Sequence, residues 1–231
     1  MKDPLSPSEQ SALLDYLNTF LSGNKRARFG KIIRLRTRFI TLVLEDIFQP
    51  HNASAVLRSC DVFGIQDVHI IENRNRYEVN PDVALGASKW LSLYRYNKTD
   101  DNTRDCLEKL KKKGYTLVAT SPHKEEYTPD TLPLDGKIAL LFGTELEGLS
   151  ATALKMADRF VRIPMFGFTE SLNISVSAAL LISRLSERLR SSGTDWHLSP
   201  EEMISVRLDW ARAVIRKATL IEKDFRKKRK N

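Results

Sequence analysis

One stretch of the chain combines residue types that could bind a small polar ligand. Residues 163–177 begin as an apolar strand end, break at Pro164 and Gly167, and restart as a helix that begins Ser-Leu-Asn at residue 171. Such a loop offers free backbone N–H groups at the start of the helix, where polar and anionic ligands bind. Ser and Asn are also favoured there as plain helix caps. The stretch alone therefore leaves a ligand site and a helix cap equally open.

Two further segments, in order along the chain, favour the ligand site. Residues 52–64 read NASAVLRSCDVFG, and residues 140–150 read LLFGTELEGLS. With the stretch at 163–177, they resemble the three motifs of the SpoU (TrmH-like) family of RNA ribose 2′-O-methyltransferases, within the SPOUT superfamily. The resemblance covers residues 38–190. It implies a parallel α/β domain with a deep C-terminal trefoil knot, S-adenosylmethionine as methyl donor, and an active site shared across a homodimer.

The resemblance also implies which residues act on the ribose. Arg58 is expected to activate the 2′-OH together with an RNA phosphate, either as a base or by stabilising the developing alkoxide. Asn52 is expected to lie just before the helix, where it orients Arg58 or the ribose, or caps the helix. Glu147 is expected to pair with an arginine, such as Arg58 or its copy in a partner chain. Ser171 and Asn173 are expected to place the substrate and shape the cofactor loop.

Three loops at strand ends are expected to hold the adenine of the donor, which needs backbone hydrogen bonds and an apolar slot. Ligands of parallel sheets bind at the carboxyl ends of the strands, and the family pattern uses the same loops. The residues assigned to this site are Thr120, Ser121, Gly143, Thr144, Ile163, Met165, Ser171 and Leu172. The chain has no Gly-x-Gly-x-x-Gly sequence, which argues against a standard dinucleotide site.

Composition argues against other classes of site. The four histidines have no metal-ligand spacing, so no metal is expected. Two cysteines are too few for a disulfide framework, which makes a reducing cytoplasm the expected location. No apolar run approaches the roughly 18 residues that span a bilayer, so no membrane partner is expected.

His51 directly precedes the first motif and is the second candidate, after Arg58, for activating the hydroxyl.

The chain is basic, and its cations are clustered. It has a net charge of +8 and a pI of about 9.5. One cluster spans residues 25–38, and the other spans 226–230 at the C-terminal end. Such clusters bind phosphates by counterion release, although they can also be solvated charge runs. We expect a solvated run at 226–230 and RNA contact by the first cluster, at Arg26, Arg28, Arg34 and Arg36.

Hydrophobic periodicity predicts the elements that position these motifs. Strands alternate with helices, which indicates a parallel sheet flanked by helices. Strands are expected at 39–44, 67–71, 91–96, 116–120, 138–142 and 160–163, and helices at 53–63, 101–113 and 172–189. The last helix is apolar on most faces and is expected to be well buried. The knot follows from the resemblance alone, because ordinary folds are not knotted.

The flanks of the core are predicted to be helical. Residues 1–37 are expected to form a basic N-terminal extension, 38–190 the methyltransferase domain, and 191–231 a C-terminal extension with a basic tail. In the first extension, a helix at 7–22 should end at Ser22-Gly23-Asn24. It should lead into a basic connector at 24–37, which has room for one short helix. In the second, an amphipathic helix at 199–226 should pack on the core.

The two extensions also indicate which class of RNA is the expected substrate. About 37 residues precede the first core strand, too few for a separate RNA-binding domain. A short basic N-terminal helix with a C-terminal helix resembles the subgroup that methylates guanosine-18 of tRNA. Ribosomal RNA is the second choice. A non-catalytic RNA-binding protein is a third interpretation, against which the intact motif residues Arg58, Glu147, Ser171 and Asn173 argue.

Overall fold

Six short apolar runs form one parallel sheet. They are β1 (Ile40–Glu45), β2 (Asp67–Ile71), β3 (Ser92–Tyr96), β4 (Thr116–Thr120), β5 (Ile138–Phe142) and β6 (Arg159–Val161). Their order is β3-β2-β1-β5-β4-β6, and every neighbouring pair is parallel. Every residue of β1, β2 and β5 is buried, as expected for central strands covered on both faces. The predicted α/β class with a parallel sheet is confirmed.

Helices cover both faces of this sheet. They are α3 (Pro50–Phe63), α4 (Asn102–Lys112), α5 (Ala151–Met156) and α6 (Ile174–Ser191). Alternate side chains of β1 separate two apolar cores. Leu42 and Leu44 belong to the core with α3 and α6, which pack against each other, whereas Val43 belongs to the core with α4 and α5. This packing fixes the carboxyl ends of the strands, where the motifs begin.

This computed structural model describes residues 5–47, 49–76, 86–121 and 126–228. The chain divides into two compact units, the sheet unit Thr37–Trp196 and a helical unit that joins Met1–Arg36 to His197–Asn231. The helical unit contains α1 (Pro7–Asn18), α2 (Gly23–Ile33), α7 (Pro200–Val214) and α8 (Ala218–Lys228). Arg229 and Lys230 of the basic tail lie outside the described residues. The trefoil knot stays a prediction.

The predicted end of the first helix is wrong. Ser22 is the N-cap of α2, because its hydroxyl accepts a hydrogen bond from the backbone N–H of Lys25 at 3.4 Å. The first helix ends at Asn18, and most of the expected basic connector is helical. Serine is a preferred N-cap residue, so Ser-Gly-Asn is the start of α2 and not the end of α1.

The single helix expected at 199–226 is two helices. Its start is confirmed, since Ser199 and Glu202 form a reciprocal capping box. The helix breaks near Lys217, which has a φ of 65° in the left-handed region. Within the helical unit, α7 packs against α1 and α2. Its Trp210 ring lies 5.3 Å from the ring of Phe29.

The helix predicted at 172–189 is shifted and only partly buried. It runs from Ile174 to Ser191, because Asn173 is its N-cap. One side is buried at Ile182 and Leu185, but Val176 and Leu180 are 46% and 49% exposed. The expectation of a well-buried helix therefore holds on one face and fails on the face of Val176 and Leu180. The short helix α5 was not expected from the sequence.

Candidate active site

A cavity of about 370 Å³ opens at the carboxyl ends of β4, β5 and β6. Its volume is within the range of small-molecule sites. All eight residues assigned to the cofactor line it: Thr120, Ser121, Gly143, Thr144, Ile163, Met165, Ser171 and Leu172. The apolar side chains of Leu149, Leu154, Val161 and Leu181 also line it. Three loops that are distant in sequence, those after β4, β5 and β6, therefore share one pocket.

The loop after β5 forms a tight turn that borders this cavity. The backbone N–H of Thr144 donates to the carbonyl of Gly148 at 2.9 Å, and the N–H of Gly148 donates back at 3.0 Å. A Cβ at Gly143 would lie 2.1 Å from the carbonyl of Gly148, so only glycine lets the turn close. The turn sends the carboxylates of Glu145 and Glu147 to different partners.

Glu145 joins the first and third motifs. Its Oε1 accepts hydrogen bonds from Nδ2 of Asn52 at 2.9 Å and from Nδ2 of Asn173 at 2.7 Å. The same Asn173 amide lies 3.2 Å from Oδ1 of Asn52. Glu145 was not among the site residues expected from the sequence, which included Glu147 from the same motif. The available signal was position, since Glu145 is nearer to the carboxyl end of β5, where ligands bind.

The two asparagines are placed differently from expectation. Asn52 does not precede or cap α3, because the helix begins at Pro50 with Gln49 as N-cap. Proline is favoured at the first helical position, and this puts the buried Asn52 in the first turn. Asn173 does cap α6, since its Oδ1 accepts from the N–H of Ser175 at 2.9 Å. Asn173 therefore caps α6 with its amide oxygen and donates to Glu145 of the second motif with its amide nitrogen.

The other proposed catalytic residues are exposed. Ser171 and Glu147 line the cavity, whereas Arg58 lines neither described cavity. Among the described residues, Arg58 has no hydrogen bond or ion pair. Glu147 pairs with an arginine as expected, but this arginine is Arg74, whose Nη1 lies 2.8 Å from Oε2, and not Arg58 of the same chain. His51 is exposed in the first turn of α3.

Buried titratable groups elsewhere in the sheet unit are unsuited to this chemistry. Cys60 and Cys106 are buried, and desolvation raises the pKa of the Cys106 thiol far above its usual value. Desolvation, with the positive charge of Lys113, lowers the pKa of His69 to about 3. His69 is therefore neutral at neutral pH. Both groups are structural parts of the core.

The described residues contain neither a metal-binding cluster nor a membrane-spanning helix. No group of three or more His, Cys, Asp or Glu side chains there could hold a metal ion. None of the helices described is long and apolar enough to cross a membrane.

The basic cluster at 25–38 divides into exposed and buried cations. Arg26, Arg28 and Arg34 are exposed. Arg36 is only 2% exposed, and its guanidinium lies 5.5 Å from the centre of the Trp210 ring. This geometry is a cation–π contact that stabilises the helical unit. The prediction that Arg36 contacts RNA is therefore wrong for this structure, because its charge does not reach the surface.

Residues 40–183 match the model of the SpoU rRNA methylase family. The chain belongs to this family. The match includes all three motifs, so the sequence resemblance is confirmed. A family relative, the tRNA (guanosine(18)-2′-O)-methyltransferase of Borreliella burgdorferi, is 44% identical over 206 residues, which are 89% of this chain and 93% of that protein.

Solved structures of family members share the fold. The Aquifex aeolicus TrmH/SpoU tRNA modifying enzyme superposes with a TM-score of 0.73 at 27% identity, over 84% of this chain and 98% of that one. The SpoU methyltransferase AviRb from Streptomyces viridochromogenes, solved with AdoMet, has a TM-score of 0.59 at 22% identity. It covers 70% of this chain and 65% of its own, and this likeness shows the fold alone.

Proposed function

We propose that the chain transfers a methyl group from S-adenosylmethionine to the ribose 2′-OH of guanosine-18 in tRNA. A relative with this activity in its name matches 89% of the chain at 44% identity. The observation that carries the proposal is the junction at Glu145, which lines the cavity and binds the motif residues Asn52 and Asn173. The three motifs thereby meet at one pocket.

The cavity suits S-adenosylmethionine in size and in lining. Apolar walls at Leu149 and Leu181 offer a slot for the adenine. Three carboxylates, of Glu145, Glu147 and Glu170, also line the cavity, and they favour a ligand with cationic sulfonium and ammonium groups. When bound, this cofactor supplies an electrophilic methyl group. The hydroxyls of the lining residues can orient it by hydrogen bonds.

Activation of the ribose is assigned to Arg58. A ribose hydroxyl is a poor acid, so a fixed cation beside the developing alkoxide lowers the barrier to methyl transfer. Arg58 is exposed and lies outside the cavity of its own chain. We infer that it serves the cavity of a second copy, as expected for an active site shared across a homodimer. The proposed location is the cytoplasm, where cysteines that form no disulfide stay reduced.

A tritiated-methyl assay tests the proposed function. Purified protein with labelled S-adenosylmethionine should label bulk tRNA but not bulk rRNA, and mapping should place the label on the ribose of guanosine-18. A tRNA with 2′-deoxyguanosine at this position should stay unlabelled, because it lacks the acceptor oxygen. Label in rRNA alone would support the second candidate, which the rRNA methylase description of the family favours. Binding of tRNA with no label transferred to either RNA would contradict the proposal that the protein is an enzyme.

The homodimer is tested through exposed apolar side chains near the third motif. Phe166 and Phe168 are fully exposed, and Val176 and Leu180 lie one helical turn apart with about half of their surface exposed. Light scattering should show a dimer at micromolar concentration. Changing Val176 and Leu180 together to Asp should give a folded monomer that has lost methyl transfer, because charges oppose burial of this face.

The control for the dimer is Leu220→Asp, at an apolar residue of the helical unit that is 57% exposed. It should leave both the dimer and the rate of methyl transfer unchanged. A wild-type monomer with full activity would contradict the shared active site.

The exposed cations of α2 are proposed to bind tRNA phosphates. Changing Arg26, Arg28 and Arg34 together to Ala removes up to three phosphate contacts. The dissociation constant for tRNA should rise, and the slope of log K against log salt should flatten by about 2 to 3. Filter binding across a salt series measures both. The rate at saturating tRNA should change little, because these residues are assigned to binding and not to chemistry.

A control with the same loss of charge separates site-specific binding from net charge. Lys112, Lys113 and Lys137 are three exposed cations of the sheet unit. Their joint replacement by Ala should leave the salt slope near that of the wild type. Equal slopes for the wild type and the α2 variant would mean that α2 is a solvated helix and that the core holds the RNA.

A further inference from the structure

Two consecutive buried carboxylates end β1, and each holds a different loop at the candidate site. Glu45 accepts hydrogen bonds from the backbone N–H and the hydroxyl of Ser150, both at 2.8 Å, at the end of the loop after β5. Oδ1 of Asp46 accepts the backbone N–H groups of residues 73, 74 and 75 at 2.7, 2.8 and 3.3 Å. The loop after β2 therefore curls around one carboxylate oxygen.

The backbone of Asp46 is strained. Its φ is 52°, in the left-handed region that residues with a side chain adopt only rarely. Among the described residues, only Lys217 shares this feature outside glycine. The Asp46 carbonyl also accepts a hydrogen bond from Nδ2 of Asn75 at 2.9 Å. Such strain persists where surrounding contacts hold it, and it is concentrated at functional sites.

The loop held by Asp46 presents Arg74 to the turn after β5. Arg74 pairs with Glu147 at 2.8 Å, while Glu145 of the same turn binds Asn52 on its other side. The turn is therefore held on two sides, and Glu45 fixes its end through Ser150. Glu147 and Arg74 also border a second cavity of about 220 Å³, which shares a wall with the first.

We propose that Asp46 is a positioning residue for the methyl-transfer site and acts through Arg74 and Glu147. The proposal rests on the proposed function. Because the turn that carries Glu145 and Glu147 forms one wall of the cofactor cavity, fixing Arg74 fixes that wall. Without the Asp46 carboxylate, the loop at 73–75 loses the acceptor of three backbone donors. Cofactor binding must then order the turn, and this ordering weakens affinity.

Two variants of Asp46 separate its charge from its strain. Asp46→Gly relieves the left-handed backbone but removes the carboxylate, whereas Asp46→Asn tolerates that backbone and keeps one acceptor oxygen. By calorimetry, the dissociation constant for S-adenosylmethionine should rise about tenfold in the Gly variant and about threefold in the Asn variant. Arg74→Ala changes only an exposed side chain and should raise it about threefold.

Thermodynamic coupling identifies the route. Once Asp46→Gly is in place, adding Arg74→Ala should have almost no further effect on the dissociation constant, because the ion pair is already lost. Fully additive effects would overturn action through Arg74. Glu147→Ala should raise the dissociation constant as much as Arg74→Ala does. The variant that combines Arg74→Ala with Glu147→Ala should bind the cofactor no more weakly than either single variant.

Asp67→Asn is the matched control. Asp67 is as buried as Asp46 and pairs with Arg38 at 3.0 Å, but it lies at the amino end of β2, away from the cavity. It should lower thermal stability and leave cofactor affinity unchanged. An equal loss of cofactor affinity in Asp46→Gly and Asp67→Asn would overturn the positioning role of Asp46. Wild-type cofactor affinity in Asp46→Gly would also overturn it. Failure of the wild type to methylate tRNA would instead overturn the proposed function.

Discussion

Replacing Arg58 by Ala is expected to reduce methyl transfer at least about 100-fold while S-adenosylmethionine binds as tightly as in the wild type. The affinity should hold because Arg58 is assigned to the acceptor oxygen of the ribose and is not one of the residues that line the cofactor cavity. The rate should fall because no other described cation is assigned to the developing alkoxide. Single-turnover transfer measures the rate, and calorimetry measures the affinity.

Two companion variants sharpen this result. Arg58→Lys keeps the charge but not the planar fork of donors, so its rate should lie between those of Ala and wild type. His51→Ala should be nearly as active as the wild type, although His51 precedes the same motif. An active Arg58→Ala protein with an inactive His51→Ala protein would move hydroxyl activation to His51.

Replacing Glu145 by Ala is expected to lower the rate about 100-fold, because two asparagine amide donors lose their shared acceptor. Glu145→Gln keeps an acceptor oxygen and should lose about tenfold. Glu147→Ala should lose at most about fivefold, since it breaks an exposed ion pair. Steady-state kinetics with tRNA rank the three variants.

The ranking decides which glutamate of the second motif acts at the site. A larger loss in Glu147→Ala than in Glu145→Ala would restore the assignment made from the sequence. Circular dichroism should show the same helix content in all three proteins, because neither glutamate lies within a helix or a strand.

Most of the sheet could be predicted because its strands are short apolar runs bounded by polar turns. The bounds of β2, β4 and β5 agree with the prediction at every residue. The break near Lys217 carries no Gly or Pro signal, so two helices were expected as one. The association of α1 with α7 could not be predicted either, because it joins segments that are far apart in sequence.

The site was predictable to the level of its loops and not of its side chains. The eight cofactor residues share a cavity because strand ends of a parallel sheet converge. Inside the tight turn, no periodicity indicates where a side chain points, so Glu147 was chosen over Glu145. Clustering of cations in the sequence likewise does not distinguish exposed cations from buried ones. The burial of Arg36 beside Trp210 depends on tertiary packing.

The split helical unit has a consequence for synthesis on the ribosome. Leu13 and Leu17 of α1 are fully buried in a unit whose other half follows the entire sheet unit. At ordinary translation rates, the wait for α7 is on the order of ten seconds. During this interval the apolar side chains of α1 lack their partner helix, so they are open to chaperones that bind apolar segments. Nascent chains arrested before His197 should therefore be more sensitive to protease at α1 than completed chains.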